Sequence, residues 1–173
     1  MLIPVFVSSP TESNLNNGQE SVRRLVAGEL GRLGLAERTL GQTDYPTSFP
    51  LREVLTLAKH CSGGVILGFT QFEATAGTWK KGTPFKSTVS KTRPVAFPTQ
   101  WNQLEAGILF ALAVPLLVFR DHGITGGVFD PGATDLFIHE MPKANVKYTE
   151  RKALRAVFQR WAAQVRSHYY GDR

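Results

Sequence analysis

Cysteine is almost missing from this chain: Cys61 is the only one. A single thiol excludes an intrachain disulfide and a thiolate metal cluster, and it fits a reducing compartment. The four histidines, His60, His122, His139 and His168, show no H-x-x-x-H or H-E-x-x-H spacing, so no metal site is expected. Membrane-spanning runs are lacking too. Residues 106–119 carry no charge, but the stretch is too short to cross a bilayer and Pro115 interrupts it. Residues 1–7 have no basic leader and run into polar residues, which is not a signal-peptide pattern. These absences predict a cytoplasmic protein with no membrane contact. The sequence holds no G-x-x-x-x-G-K-[ST], no G-x-G-x-x-G and no G-x-S-x-G, so neither a P-loop, a dinucleotide fingerprint nor an α/β-hydrolase elbow is indicated. No bound cofactor is expected.

Acidic residues are outnumbered. Twenty Lys and Arg face fourteen Asp and Glu, a net charge of +6. Much of the excess lies at Arg151, Lys152, Arg155, Arg160 and Arg166 and in the segment 80–93. Charge runs are usually solvated faces, and no zinc-finger, KH or RRM signature is present. Nucleic acid is therefore ranked as an unlikely partner.

The length of 173 residues fits one domain spanning 1–173. Apolar runs at 2–7, 64–69 and 115–120 read as buried strands, with weaker strands at 36–40 and 136–139. Amphipathic stretches at 20–33, 51–60, 99–114 and 149–168 read as helices, the second with Leu51, Val54, Leu55 and Ala58 inward. Residues 70–98 read as a long polar insert punctuated by Gly and Pro. Alternating strands and helices predict an α/β fold: a flavodoxin-like, doubly wound, mostly parallel five-stranded sheet of order 2-1-3-4-5, with helices on both faces. Such sheets bind ligands beyond the carboxyl ends of the strands, where the order reverses. That rim is built here by residues 8–18, by 70–98 and by the start of the helix at 99–114.

Glu105 sits at this rim. Trp101, Glu105, Ile108 and Leu112 are spaced four, three and four apart, so Glu105 lies on an otherwise apolar helical stripe. Burial there raises a carboxyl pKa or demands a partner. The residues alone leave two roles open, a helix-start carboxylate that caps or pairs, and a catalytic acid. Small neighbours, Ala106 and Gly107, leave room for a ligand or for a closely packed backbone. Ser8, Ser9 and Pro10 open a loop rich in hydroxyl groups, suited to ribose or phosphate contacts or simply to capping. Asp44, Phe69 and His122 follow the second, third and fourth strands and complete the candidate rim. Trp101 is suited either to stacking on a base or to the core.

Three segments carry a resemblance: residues 2–10 (LIPVFVSSP), 58–68 (AKHCSGGVILG) and 102–119 (NQLEAGILFALAVPLLVF). Together they resemble the nucleoside 2-deoxyribosyltransferase superfamily, and they are similar to TIR and TIR-like NAD-processing domains. The match runs from Leu2 to Phe119 at motif level and is most specific around Glu105-Ala106-Gly107. The resemblance implies a flavodoxin-like sheet and an N-glycosidase whose central carboxylate is Glu105, with Asn102 and the rim residues binding substrate. It further implies NAD, or another nucleotide or nucleoside, as ligand, assembly into a homo-oligomer or with a regulatory partner, and a setting such as antiviral defence. Two features depart from the pattern. The only acidic residue shortly after the third strand is Glu73, and the 70–98 insert is longer than a minimal TIR domain carries. A non-catalytic nucleotide sensor or scaffold on the same fold is the competing reading.

Overall fold

The computed structural model describes residues 2–41, 49–134, 137–143 and 145–171. Strand β1 (Ile3–Ser8) leads to α1 (Asn17–Arg32) and β2 (Leu35–Arg38), and α2 (Pro50–Lys59) leads to β3 (Gly64–Gly68). Four short strands follow: β4 (Phe72–Ala74), β5 (Gly77–Trp79), β6 (Ser87–Val89) and β7 (Val95–Phe97). The chain ends with α3 (Gln100–Ala111), β8 (Leu116–Arg120), β9 (Ile138–Glu140) and α4 (Tyr148–Gly171). One sheet of five parallel strands runs β2-β1-β3-β8-β9. Counting those five alone, this is the expected 2-1-3-4-5 order of a flavodoxin-like fold; the insert's four strands only shift the labels.

Side chains alternate across a strand, and here the alternation sorts the core into two layers. Val5 and Val7, Val65 and Leu67, and Leu117 and Phe119 meet α1 and α4 through Val26, Leu30, Phe158 and Val165. Phe6, Ile66, Leu116 and Val118 meet α2 and α3 through Val54, Ala58, Ala106 and Leu109. A strand covered on both faces needs no polar side, which is why β3 is buried along its whole length. No helix among the described residues is long and apolar enough to cross a membrane.

Several sequence expectations need correction. The inward face of α2 is Val54, Leu57 and Ala58, while Leu51 and Leu55 are exposed. The expected stripe was rotated by about one residue. Helix α1 begins at Asn17 rather than Glu20, because Asn16 and Gln19 form a reciprocal capping box. The weak second strand runs 35–38 rather than 36–40, and the last strand 138–140 rather than 136–139. The insert at 70–98 is not a loop: β4 pairs antiparallel with β7 and β5 with β6.

Candidate functional site

The strand alternation that puts Val5 and Val7 under α1 and α4 turns Phe6 toward α2 and α3. Ser8, last residue of β1, points the same way and meets the first turns of α3. Thr99 caps that helix: its hydroxyl oxygen accepts from the Asn102 backbone N–H at 3.2 Å. It donates in turn to Asn102 Oδ1 at 2.9 Å. Asn102 is buried, and its Nδ2 donates to Ser8 Oγ at 2.7 Å and to the Leu67 carbonyl at 3.5 Å. One amide therefore ties the ends of β1 and β3 to the start of α3. Because Ser8 Oγ already accepts from Asn102, its own proton is free to point elsewhere. The Glu105 carboxyl is near enough for the Ser8 hydroxyl to favour its charged form.

Glu105 is half-buried. Burial pushes its carboxyl up to about 7, against the Ser8 hydrogen bond, which favours the charged form. The group is thus close to half ionised at neutral pH. The buried stripe of α3 is Asn102, Ala106 and Leu109. The stripe of Trp101, Glu105, Ile108 and Leu112 lies at the flank of that face, not at its centre as the spacing suggested. Trp101 is 44% exposed, so the core role considered for it is excluded, and its ring is open to a ligand. A Cβ on Gly107 would meet nothing within 4 Å, so close backbone packing does not explain this glycine.

The remaining rim residues divide. Ser9 is half-buried and donates its hydroxyl proton to the Pro10 carbonyl at 3.1 Å, and Pro10 is itself buried. Both shape the loop beside Ser8. Phe69 is misassigned as a ligand contact: it continues the parity of Val65 and Leu67, is 1% exposed, and packs in the α1–α4 layer on the opposite face from Glu105. His122 is exposed in the loop after β8 and belongs to none of the hydrogen bonds of the Glu105 network. Asp44 lies outside the described residues.

Three residues support the rim: Asp121, which follows the fourth strand beside His122 as the sequence order implies, and Gln19 and Gln103, which had no place among the sequence candidates. Asp121 accepts the Thr70 N–H at 2.7 Å, and its own N–H donates to the Gly68 carbonyl at 2.8 Å. This fixes the exit of β3. Gln19 Nε2 also donates to the Thr70 carbonyl at 3.1 Å. Gln103 clamps the loop after β8, donating to the Gly126 carbonyl and accepting from the Val128 N–H, both at 3.0 Å. Gly127, at φ +60°, sits so close to Gln103 that a side chain there would collide with it. Gln19 and Gln103 had no readable signal as site residues; Thr99, three residues before Asn102, had that of an N-cap.

No family model matches the chain, and no curated protein does.

The network therefore stands on its own chemistry. A concavity of about 530 Å³ lies elsewhere, on the opposite face of the sheet, lined by Leu117, His139, Val157 and Trp161 among others. It is a gap left where α4 incompletely covers β8 and β9, and it holds no carboxyl of raised pKa. The Glu105 rim is the better candidate because a perturbed acid lies there beside the Ser8–Asn102 pair, one helical turn from the exposed Trp101. Among the described residues no three His, Cys, Asp or Glu side chains are placed to hold a metal ion.

Replacing Ser8 by Ala tests the electrostatics directly. The hydroxyl favours the ionised carboxylate, so its loss moves the Glu105 pKa above about 7. Carboxyl-directed NMR titration reads the displacement, and the unsatisfied Asn102 amide destabilises the fold by about 1–2 kcal/mol.

Proposed function

We propose that the chain cleaves an N-glycosidic bond of a nucleotide or nucleoside at the Glu105 rim, with hydrolysis or cyclisation of NAD as the leading reaction and deoxyribosyl hydrolysis or transfer as its neighbour. The observation that carries this reading is Glu105 itself: a half-buried carboxyl of raised pKa, aimed by Ser8, at the place where this sheet order binds ligands. When the C1′–N bond breaks, its electron pair leaves with the base and positive charge develops on the sugar. An ionised Glu105 beneath C1′ stabilises that charge. Trp101 is placed one helical turn away, where its exposed ring can stack on a base. In hydrolysis a water then bonds to C1′, and its proton passes to Glu105, for which a pKa near neutrality is suited.

The leaving group separates the substrates. A neutral purine needs a proton to depart, and among the described residues no second carboxyl joins the Ser8–Asn102–Glu105 network. A pyridinium such as nicotinamide carries its charge already and leaves as a neutral base. Its charge also favours ionised Glu105 on binding. This favours NAD over a purine nucleoside.

The test is chromatography after incubation with NAD and with purine and pyrimidine nucleosides. It is run at high as well as low protein concentration, because the resemblance implies activity in an assembly. Release of nicotinamide supports the reading. Recovery of bound ligand intact, with thermal stabilisation but no turnover, supports the sensor or scaffold instead.

A further inference from the structure

Residues 70–98 leave the sheet at the end of β3 and return at the first turn of α3, so the ribbon they form is rooted on both sides of the candidate site. The segment carries Lys80, Lys81, Lys86, Lys91 and Arg93 against one carboxylate, Glu73, which is +4 of the chain's net +6. All five cations are exposed. None of them is in an ion pair among the described residues. Ion pairing is concentrated around α1: Arg23 bridges to Glu12 and Glu37, Arg24 to Glu20, and both Arg32 and Arg155 to Glu29, while Arg151, Lys152 and Arg160 of α4 are exposed like the cations of the ribbon. The ribbon concentrates its unpaired charge in a short segment that holds a single carboxylate.

Large rings are interleaved with these charges. Phe72 is 61% exposed, Trp79 46% and Phe85 75%. Trp79 leans on Phe97 with ring centroids 5.9 Å apart, and Phe72 meets Phe97 at 6.2 Å. The outer strand pair is therefore folded back on the inner one. At the tip, Lys80 Nζ lies 5.6 Å from the Phe85 ring centroid. The tip is a built turn. Lys80 has φ +49° and Gly82 φ +80°. The Lys80 carbonyl accepts from both the N–H and the hydroxyl of Thr83, and the Thr83 carbonyl accepts from the Lys86 N–H. Cations and rings are thus presented in a fixed pattern.

We propose that this ribbon is a docking surface for single-stranded nucleic acid. Unpaired cations meet phosphates and release counterions, while exposed rings stack on bases whose faces are free only in a single strand. A duplex hides those faces. An acidic protein would use the lysines but would leave the rings without a role. A solvated charged face alone gives no reason to expect nucleic acid; exposed rings set among unpaired cations do.

The experiment is fluorescence anisotropy of the full chain with labelled single-stranded RNA and DNA, across a salt series. The variants are Lys80→Glu with Lys81→Glu, Phe85→Ala, and Arg151→Glu with Lys152→Glu on α4 as a control. These positions are exposed, and unchanged circular dichroism checks that each variant folds. The expected result is single-strand binding whose log–log salt slope lies between about −2 and −3.5, for three to five phosphate contacts. Phe85→Ala should weaken it about tenfold, the ribbon charge reversal by more than that, and the α4 pair should leave it unchanged. Four outcomes would overturn the proposal: no binding at low salt, equal affinity for duplex, loss on the α4 pair, or a Phe85→Ala protein that binds normally while polyglutamate competes as well as RNA does. The last would assign the ribbon to an acidic protein. The readout is binding alone, so it is independent of whether Glu105 turns over a nucleotide.

Discussion

Glu105→Gln is expected to lower turnover by on the order of 10³-fold, while making the protein more stable at alkaline pH. The first effect follows from charge: Gln keeps the shape and a hydrogen bond to Ser8, but it offers no negative charge to a sugar cation. The second follows from the raised pKa. A carboxyl whose folded-state pKa exceeds its unfolded value contributes stability that is fully present below the unfolded value near 4.5. That contribution is lost as pH rises through about 7. Above that point wild type carries a half-buried charge and the variant does not. Denaturant unfolding at about pH 9 should therefore favour the variant by about 2 kcal/mol, discounted because the carboxyl keeps some solvent. At about pH 4 the two should be equal. A structural capping carboxylate would behave in the opposite way, because its removal costs stability where it is ionised. Unfolding at the two pH values thus separates the two roles left open by the sequence, even before a substrate is known.

Gly68→Ala is expected to destabilise the fold by about 2–3 kcal/mol, a fall in melting temperature of about 5–10 °C. A Cβ at this last residue of β3 would stand 2.5 Å from Phe129 Cε1, 2.8 Å from its Cζ, and 3.1 Å from the Phe119 carbonyl oxygen. None of these can give way easily. Phe129 is fully buried, and the carbonyl belongs to β8, which is paired with β3. Displacing Phe129 also moves the 126–128 loop that Gln103 holds against α3. Turnover should fall along with stability. Gly107→Ala is the contrast. It sits in an exposed helical position with open space around it, and the substitution should add about 0.5–1 kcal/mol of stability. Loss of activity in that variant, with stability gained, would show that the space beside Glu105 is ligand space.

The sheet was legible because its strands are unbroken apolar runs separated by helices of clear period, which leaves few topologies. The end of β1 and the start of α3 were legible for the same reason, and Ser8, Asn102 and Glu105 are linked there. What was lost is phase. Both α2 and α3 present the stripe next to the one expected: Leu57 rather than Leu51 and Leu55, and Asn102 with Ala106 and Leu109 rather than Trp101 with Glu105. A helix of ten or twelve residues with apolar residues on neighbouring stripes leaves the choice to tertiary packing. For Glu105 the shift matters, since a flanking carboxyl is half-buried and reachable where a central one would be sealed. Phe69 was lost to parity, the rule that put it with Val65 and Leu67 rather than with Ser8. The ribbon was unreadable because strands of three residues with polar side chains carry no period, and its pairing depends on contacts across the insert.

The central claim is that an ionised Glu105 supports cleavage of an N-glycosidic bond. The most direct measurement is kcat/KM for nicotinamide release from NAD between about pH 5 and 9, in wild type, Ser8→Ala and Glu105→Gln. The account predicts a wild-type rate that rises through about 7 and then levels, the same curve displaced to higher pH in Ser8→Ala, and a flat trace near background in Glu105→Gln. A wild-type rate independent of pH over that range, or a Glu105→Gln protein that releases nicotinamide as fast as wild type, would contradict it.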